Sequence, residues 1–283
     1  MQPPRPCLNR AARSLTTGRT QTLGLIVPDL RNPFFAEIAK GTQGRARNTG
    51  HAVFIADTDI DLTLEAHALT AMRGEVEGVV LCSPRSSDEL LISQLDGLPA
   101  VLLHRHIPGL PAVVADFDAG TRQAIEHLRA LGHERIAHVA GPADSWNARR
   151  RRAAFEATVG DLVLGPLTDQ FEGGVAAADT LLASGASAVV AYNDIVALGI
   201  VSRIHARGLR VPEDMSVVGF DGIDLSAMAP ALTTINVPRR EAAHRAVALL
   251  LYLIDGTSSS KDELIVLPTQ LIVLGSTAPP APH

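Results

Sequence analysis

Apolar residues along the chain fall into two alternating patterns: short continuous runs, and longer stretches with apolar positions three and four apart. The first pair is the clearest. Residues 23–27 are a short apolar run, the pattern of a parallel strand covered on both faces. Pro28 and Asp29 end it. Asn32 suits the N-cap of a following helix, Pro33 its first position and Gly50 its end. Ile38, Gly41 and Thr42 follow Phe34 and Phe35 at helical spacing. The loop 29–35 then lies at the carboxyl end of the first strand, the edge at which open α/β sheets bind ligands.

The alternation continues to the end of the chain. Further strand-like runs are 52–56, 78–82, 100–103, 112–115, 136–140, 162–164, 188–191 and 216–219. Helix-like stretches lie near 33–48, 61–73, 87–95, 119–131, 148–158, 173–184, 194–207 and 239–254. Such alternation predicts an α/β protein with parallel sheets and right-handed crossovers. The units are too many for one simple open sheet, so two sheets are expected. Boundaries are expected near 114–116 and 235–238. The late helix 239–254 and two final runs, 264–267 and 271–274, suggest that the chain crosses between lobes more than once. Residues 9–15 suit about two helical turns, 16–21 read as a polar linker, and 1–8 and 276–283 read as disordered.

Composition narrows the class. The 283 residues are 46% hydrophobic, enough for a large core, and only 4% aromatic, so aliphatic side chains must fill it. Cys7 and Cys82 lack metal-ligand spacing, which fits a reduced, cytoplasmic protein. No run approaches a membrane span, and the first apolar run is too short and interrupted for a secretory signal. The net charge of −5 is uneven: residues 1–20 hold four arginines and no acidic residue, +4 against −9 in the remainder. A basic arm on an acidic body fits a nucleic-acid contact confined to the arm, and fits equally a tag-like terminus.

Several enzyme classes lack their motifs. No G-x-G-x-x-G follows a strand, and there is no Walker-type phosphate loop and no G-x-S-x-G elbow. Gly41 and Gly44 fall inside the first helix, where packing explains them better. His104 and His106 neighbour one another, but no carboxylate or cysteine completes a metal site, and both read as ordinary loop residues. No cofactor or metal is expected.

The stretch VPDLRNPFF, with its following helix and glycine, closely resembles the first strand and helix of the effector domain in lactose/galactose-repressor-type bacterial transcription regulators. The resemblance covers about residues 9–275. It implies two Rossmann-like parallel-sheet lobes joined by a three-strand hinge, of the periplasmic-binding-protein-like type I, with a cleft between them. The implied division is 1–21 as a hinge-helix arm and linker, 22–115 plus 238–271 as one lobe, and 116–237 plus 272–283 as the other. It also implies a homodimer, a sugar-like or nucleobase-like effector in the cleft, and operator DNA as partner of the full-length protein.

The resemblance assigns residues one by one. Asn9, Ala12, Arg13 and Leu15 of NRAARSL match a hinge helix that lies in the DNA minor groove, where Leu15 would wedge between base steps. So short a helix is unstable alone and would form only when docked. Only eight residues precede Asn9, too few for a helix-turn-helix head, and Leu8 stands where the family has proline. The chain as given is therefore expected to bind DNA weakly or not at all. Phe34 and Phe35 match effector-contacting positions; read alone they fit the core as well. Asn32 can orient a ligand hydroxyl or simply cap the helix. In GPADSWNARRRRAAFEA, Arg151 matches the effector arginine and lies four before Phe155, on one helix face. Arg149, Arg150 and Arg152 point elsewhere. Trp146 and Asn147, both expected at the effector site, sit in what reads as the loop before that helix; Trp146 suits a sugar-stacking platform or a hydrophobic anchor. In AYND, Asn193 matches an effector-bonding asparagine and Asp194 reads as the N-cap. Asp221 of VVGFDG matches the effector aspartate, able to accept from two hydroxyls or to hold Arg151.

Three departures bear on the ligand. The connection from Phe155 to Gly174 is short, Asp169 stands where relatives carry an aromatic, and Val237 replaces a glutamine after the TTI strand. A ligand smaller or less polar than a hexose is expected. The function implied is the effector-binding core of a repressor-type regulator, not an enzyme. The competing expectation is a transport-linked solute receptor of the same fold, with no DNA role.

Overall fold

A computed structural model describes residues 19–160, 162–224, 231–257 and 262–281. The chain first lays down β1 (Thr22–Val27), α1 (Pro33–Asn48), β2 (Ala52–Asp57), α2 (Leu62–Met72), β3 (Gly78–Cys82), α3 (Asp88–Leu95), β4 (Ala100–Leu103) and β5 (Ala112–Ala115). It then forms α4 (Phe117–Ala130), β6 (Ile136–Val139), α5 (Trp146–Thr158), β7 (Val163–Leu164), α6 (Phe171–Ala183), β8 (Ala188–Ala191), α7 (Asp194–Ala206), β9 (Ser216–Asp221) and β10 (Thr233–Asn236). Last come α8 (Arg239–Ile254), β11 (Leu264–Leu267) and β12 (Gln270–Ile272).

The strands make two six-stranded sheets, ordered β11-β5-β4-β3-β1-β2 and β12-β10-β9-β8-β6-β7. Pairing is parallel except where β12 returns antiparallel to β10. In the first sheet Leu25 lies opposite both Ile55 and Val80, so β1 is central and fully covered, as its unbroken apolar run requires. Asn32 caps α1 by accepting from the Phe34 amide at 2.9 Å.

Three apolar clusters hold the fold. One fills the α2–α3 side of the first sheet and another the α6–α7 side of the second. The third runs without a break from Leu25, Ile38 and Val247 in the first lobe through Phe117, Phe155 and Phe220 in the second. The lobes therefore share one core across the hinge. Three chain crossings pass there, at Asp116, at Val237–Pro238 and at Pro268–Thr269. Two of them bond to each other: the Asp116 amide donates to the Leu267 carbonyl at 2.8 Å, and the Thr269 hydroxyl to the Asp116 carbonyl at 3.0 Å.

The last crossing precedes the expected division after residue 271. Gln270 already pairs with Asn236 in the second sheet, so the first lobe ends with Leu267. The terminal stretch is also not the disordered tail its prolines suggested. Ser276 is fully buried; its hydroxyl accepts from the Thr233 amide at 2.8 Å and donates to the Val217 carbonyl at 2.6 Å. His133, on the loop after α4, reaches the Ala278 carbonyl at 2.9 Å, so hydrogen bonds replace the apolar burial that the composition lacks.

Gly41 and Gly44 of α1 differ. A Cβ at Gly41 would meet Ala243 of α8 at 3.0 Å, so α1 and α8 pack closely there. Gly44 faces open space, and packing does not explain it. The hinge-helix positions Asn9, Ala12, Arg13 and Leu15 lie outside the described residues.

Candidate functional site

The carboxyl ends of the parallel strands of both lobes face one cleft. There Asn32, Phe34, Phe35, Ser83, Arg85, Ser145, Asn147, Arg151, Asp169, Tyr192, Asn193 and Asp221 line one cavity. Seven of the eight residues expected at the effector site are in this set; Trp146 is not. The backbone at three strand ends takes positive φ: Ser83 after β3 (46°), His104 after β4 (57°) and Asp221 at the end of β9 (118°). Non-glycine residues held this way mark places where the surrounding structure sets the conformation.

Arg151 organises the second-lobe wall. It projects from α5, on the same face as the buried Phe155. Its Nη2 donates to Asp221 Oδ1 at 3.1 Å and its Nη1 to the Tyr192 carbonyl. The guanidinium carbon lies 3.7 Å from the Phe220 ring centroid, 4.8 Å from that of Phe117 and 5.0 Å from that of Tyr192. Ring faces and a carboxylate together partner the guanidinium in this buried setting. Burial pushes Asp221 up to about 6, opposed by the Arg151 and Arg239 charges. Arg239, at the start of α8, also donates to the Asp221 carbonyl. Arg149, Arg150 and Arg152 face outward; Arg150 pairs with Asp118 and Arg152 with Glu156.

Asn193, not Asp194, caps α7. Its Oδ1 accepts from the Val196 amide at 2.7 Å while its Nδ2 donates to the Asp169 carbonyl at 3.0 Å. Asp194 turns inward instead, fully buried. It accepts from the Ile223 amide at 2.8 Å and the Thr234 hydroxyl at 2.6 Å, tying the end of β9 to β10. Burial and the nearby Asp221 charge push Asp194 up to about 8. The sequence offers two cap-type residues side by side, and only the tertiary partners decide between them.

Trp146 is the first helical residue of α5, with Ser145 as its cap, rather than part of a loop. Its ring meets Phe117 edge-on at 6.1 Å and lines a separate recess of about 240 Å³ beside β5 and β11. Asn147, one residue on, does face the cleft and donates to Ser83 Oγ at 3.3 Å across the lobes. Phe34 is buried and packs edge-to-face with the half-buried Phe35 at 5.1 Å. Phe34 thus belongs to both the core and the cleft wall. His104 is not a loop-exposed residue: it is 1% exposed and packs on Phe34 at 5.3 Å. Burial first, then the charges of Arg151 and Arg239, holds it down to about 3, so it is neutral.

Five lining residues were not expected contacts: Ser83, Arg85, Ser145, Tyr192 and Asp169, the last noted only as a departure from the family pattern. Arg85 is the most consequential. It pairs with Asp169 at 2.6 Å and Asp144 at 2.9 Å, both in the other lobe. The signal for it was positional, since SPRSSD directly follows β3 at the ligand-facing sheet edge. With these side chains in place the free volume is about 20 Å³, on the scale of one water molecule. No group of three or more histidine, cysteine or acidic residues that could hold a metal occurs among the described residues.

Residues 125–277 match the periplasmic binding protein-like domain family. The helix-turn-helix-type transcriptional repressor PurR of Aliivibrio fischeri is 36% identical over 257 residues, covering 85% of this chain and 76% of that protein. A LacI family transcriptional regulator from Enterococcus faecium, solved with bound ribose, superposes with a TM-score of 0.81 at 29% identity, covering 91% of this chain and 99% of the other. The lac repressor dimer bound to operator and the anti-inducer ONPF superposes at 0.86 with 26% identity, covering 97% and 100%. The chain belongs to the LacI family of transcriptional regulators. Arg85 and Asp169 face each other across the cleft, where the resemblance had implied an aromatic at 169. Val237, in place of the implied glutamine, is buried in the hinge and lends the cleft no polar group.

Proposed function

We propose that this chain is the effector-sensing core of a cytoplasmic repressor whose inter-lobe cleft takes a compact, neutral, hydroxyl-rich molecule of the sugar class. The observation that carries this is the buried Arg151–Asp221 pair. Its donors and acceptor sit side by side at a strand end, which is what vicinal hydroxyls need. The balance of charge supports neutrality. Arg85, Arg151 and Arg239 offset Asp169, Asp221 and the rim carboxylate of Asp144 around the cavity. A neutral ligand leaves that balance undisturbed, whereas an anion would add a charge with no cation to spare. Phe34 and Phe35 supply ring surface for the less polar side of such a ring.

On this reading the protein is a homodimer. Phe54, Leu62, Leu64, Leu90 and Ile92 on β2, α2 and α3 are exposed, which suits a partner subunit. The operator is held by the DNA-binding part of the full-length protein together with Asn9, Ala12, Arg13 and Leu15. Effector binding changes the lobe arrangement, and the dimer passes that change to the DNA-binding ends, as coupling between two sites requires. The chain is a sensor without catalytic turnover. The test is a thermal-shift and calorimetric screen of pentoses, hexoses, polyols, sugar phosphates and nucleosides. A neutral sugar or polyol that binds the wild type and not Asp221→Ala supports the reading. Binding of a sugar phosphate alone, or binding unaffected by Asp221→Ala, overturns it.

A further inference from the structure

We propose that Arg85, Asp169 and Asp144 form a latch that holds the two lobes closed by the protein's own side chains, so that the effector must compete with an internal ion pair. Arg85 belongs to the first lobe, between β3 and α3; Asp144 and Asp169 precede α5 and α6 in the second. Its side chain is 5% exposed, that of Asp169 13% and that of Asp144 53%. A guanidinium that bridges two carboxylates from a different lobe can do so only when the lobes are together.

The first-lobe half is built to aim this arginine. Glu65 of α2 is buried, and its carboxylate accepts from the Arg85 amide at 2.8 Å and the Ser86 amide at 3.1 Å. From the other side Arg105 donates to the Pro84 carbonyl at 2.8 Å and the Ser86 carbonyl at 2.6 Å, and pairs with Asp88 at 2.5 Å. Two buried charged side chains thus fix the loop that carries Arg85. The second-lobe half is fixed as well, since Asn193 donates to the Asp169 carbonyl at 3.0 Å. Holding both halves in advance lowers the ordering cost of the pair, and burial of Arg85 and Asp169 limits screening by salt. Two further contacts across the cleft rim are longer, Asn147 to Ser83 at 3.3 Å and Gln170 to Asp29 at 3.5 Å, while Arg239 beside the hinge donates to the Asp221 carbonyl. The guanidinium also occupies the cavity, so anything larger than about one water must displace Arg85 or part the lobes.

The geometry stands apart from the effector reading; only its consequence, that effector and latch compete, rests on it. The test needs no effector. Spin labels at Glu89→Cys in α3 and Glu172→Cys in α6, with Cys7→Ser and the buried Cys82 left in place, report the lobe separation by pulsed electron resonance. The ligand-free protein should show mainly the short distance. Arg85→Gln and Asp169→Asn should each lower the closed-to-open ratio by about tenfold, the scale of one charge-assisted contact. The double variant should add little to either single one. Arg85→Lys, which keeps the charge and loses the fork, should fall between. Asp144→Asn, at the exposed rim, gives a smaller shift without threatening the fold, which circular dichroism checks throughout. Distance distributions unchanged by Arg85→Gln, or a wild type already open, would overturn the latch. Neither result touches the sugar reading, and an empty effector screen would leave the latch intact.

Discussion

Arg151 Nη2 lies 3.1 Å from Asp221 Oδ1, and the same guanidinium rests over the Phe220 ring, one residue before its carboxylate partner. One strand end therefore supplies both the ring face and the counter-charge for an arginine that comes from a helix. The pair is buried on both sides, so removing either member strands the other.

Arg151→Ala should destabilise the protein by about 3–5 kcal/mol, because it leaves Asp221 buried without its guanidinium. Arg150→Ala, one position away and exposed, should cost less than about 1 kcal/mol. Urea unfolding of the two variants side by side measures the contrast, and equal losses would place Arg151 outside the buried pair.

Effector affinity should fall at acid pH. Asp221 must be ionised to hold Arg151 and accept ligand hydroxyls, and burial places its titration at about 6. Below that, the fraction of competent protein drops by about tenfold per pH unit. Calorimetric titration of a binding sugar between pH 5 and 8 should show a plateau above 7 and a decline below 6. A flat profile would separate Asp221 from recognition.

Asp194 has the opposite effect on the fold. Its pKa is raised from 3.8 to about 8 by burial and by Asp221, so the folded state holds a proton that the unfolded state releases. Stability from this group is fully present below pH 3.8 and is lost as pH rises toward 8, by up to about 1.4 kcal/mol per unit. In Asp194→Asn the amide oxygen can accept from the Ile223 amide while Nδ2 donates to the Thr234 hydroxyl oxygen, reversing that bond, and the variant should flatten the slope. Thermal melts from pH 5 to 9 of the variant and the wild type give the comparison, and parallel curves would place the Asp194 titration elsewhere.

Two glycines should respond with opposite signs. A Cβ at Gly199 of α7 would sit 2.1 Å from the Phe171 carbonyl oxygen of α6, so Gly199→Ala must push the helices apart and should cost about 3 kcal/mol or more. Gly44 lies inside α1 with nothing within 4 Å, and Gly44→Ala should stabilise by about 0.5–1 kcal/mol through helix propensity. Differential scanning calorimetry resolves both.

Much of the fold was legible because buried parallel strands write themselves as unbroken apolar runs and α1 carries a cap, a proline and a stop in order. The errors fall where tertiary partners choose between equal local options. Asn193 and Asp194 both cap helices; the Asp169 carbonyl and the Thr234 hydroxyl decided which one turned inward. Trp146 read as loop because α5, capped by Ser145, starts two residues before the expected 148. The tail read as disordered because its order comes from Ser276 hydrogen bonds rather than apolar periodicity. Arg85 carried a positional signal only. Its partners lie 59 and 84 residues away in the other lobe, and apart from its place after β3 the composition of SPRSSD is that of a solvated turn.

The route of the chain bears on how the protein is made. The first lobe opens at β1, yet α8 and β11, which cover one face and one edge of its sheet, are encoded after residue 238. On the ribosome, Leu25, Val80 and Val101 wait for Val247 and Leu250 until almost the whole polypeptide has emerged. The second lobe, apart from its β12 edge and terminal strap, is complete before α8 is synthesised. Assembly therefore runs against the order of translation: the downstream half closes first and the upstream half is sealed last. Until then an uncovered aliphatic sheet face is exposed to chaperones and to other nascent chains.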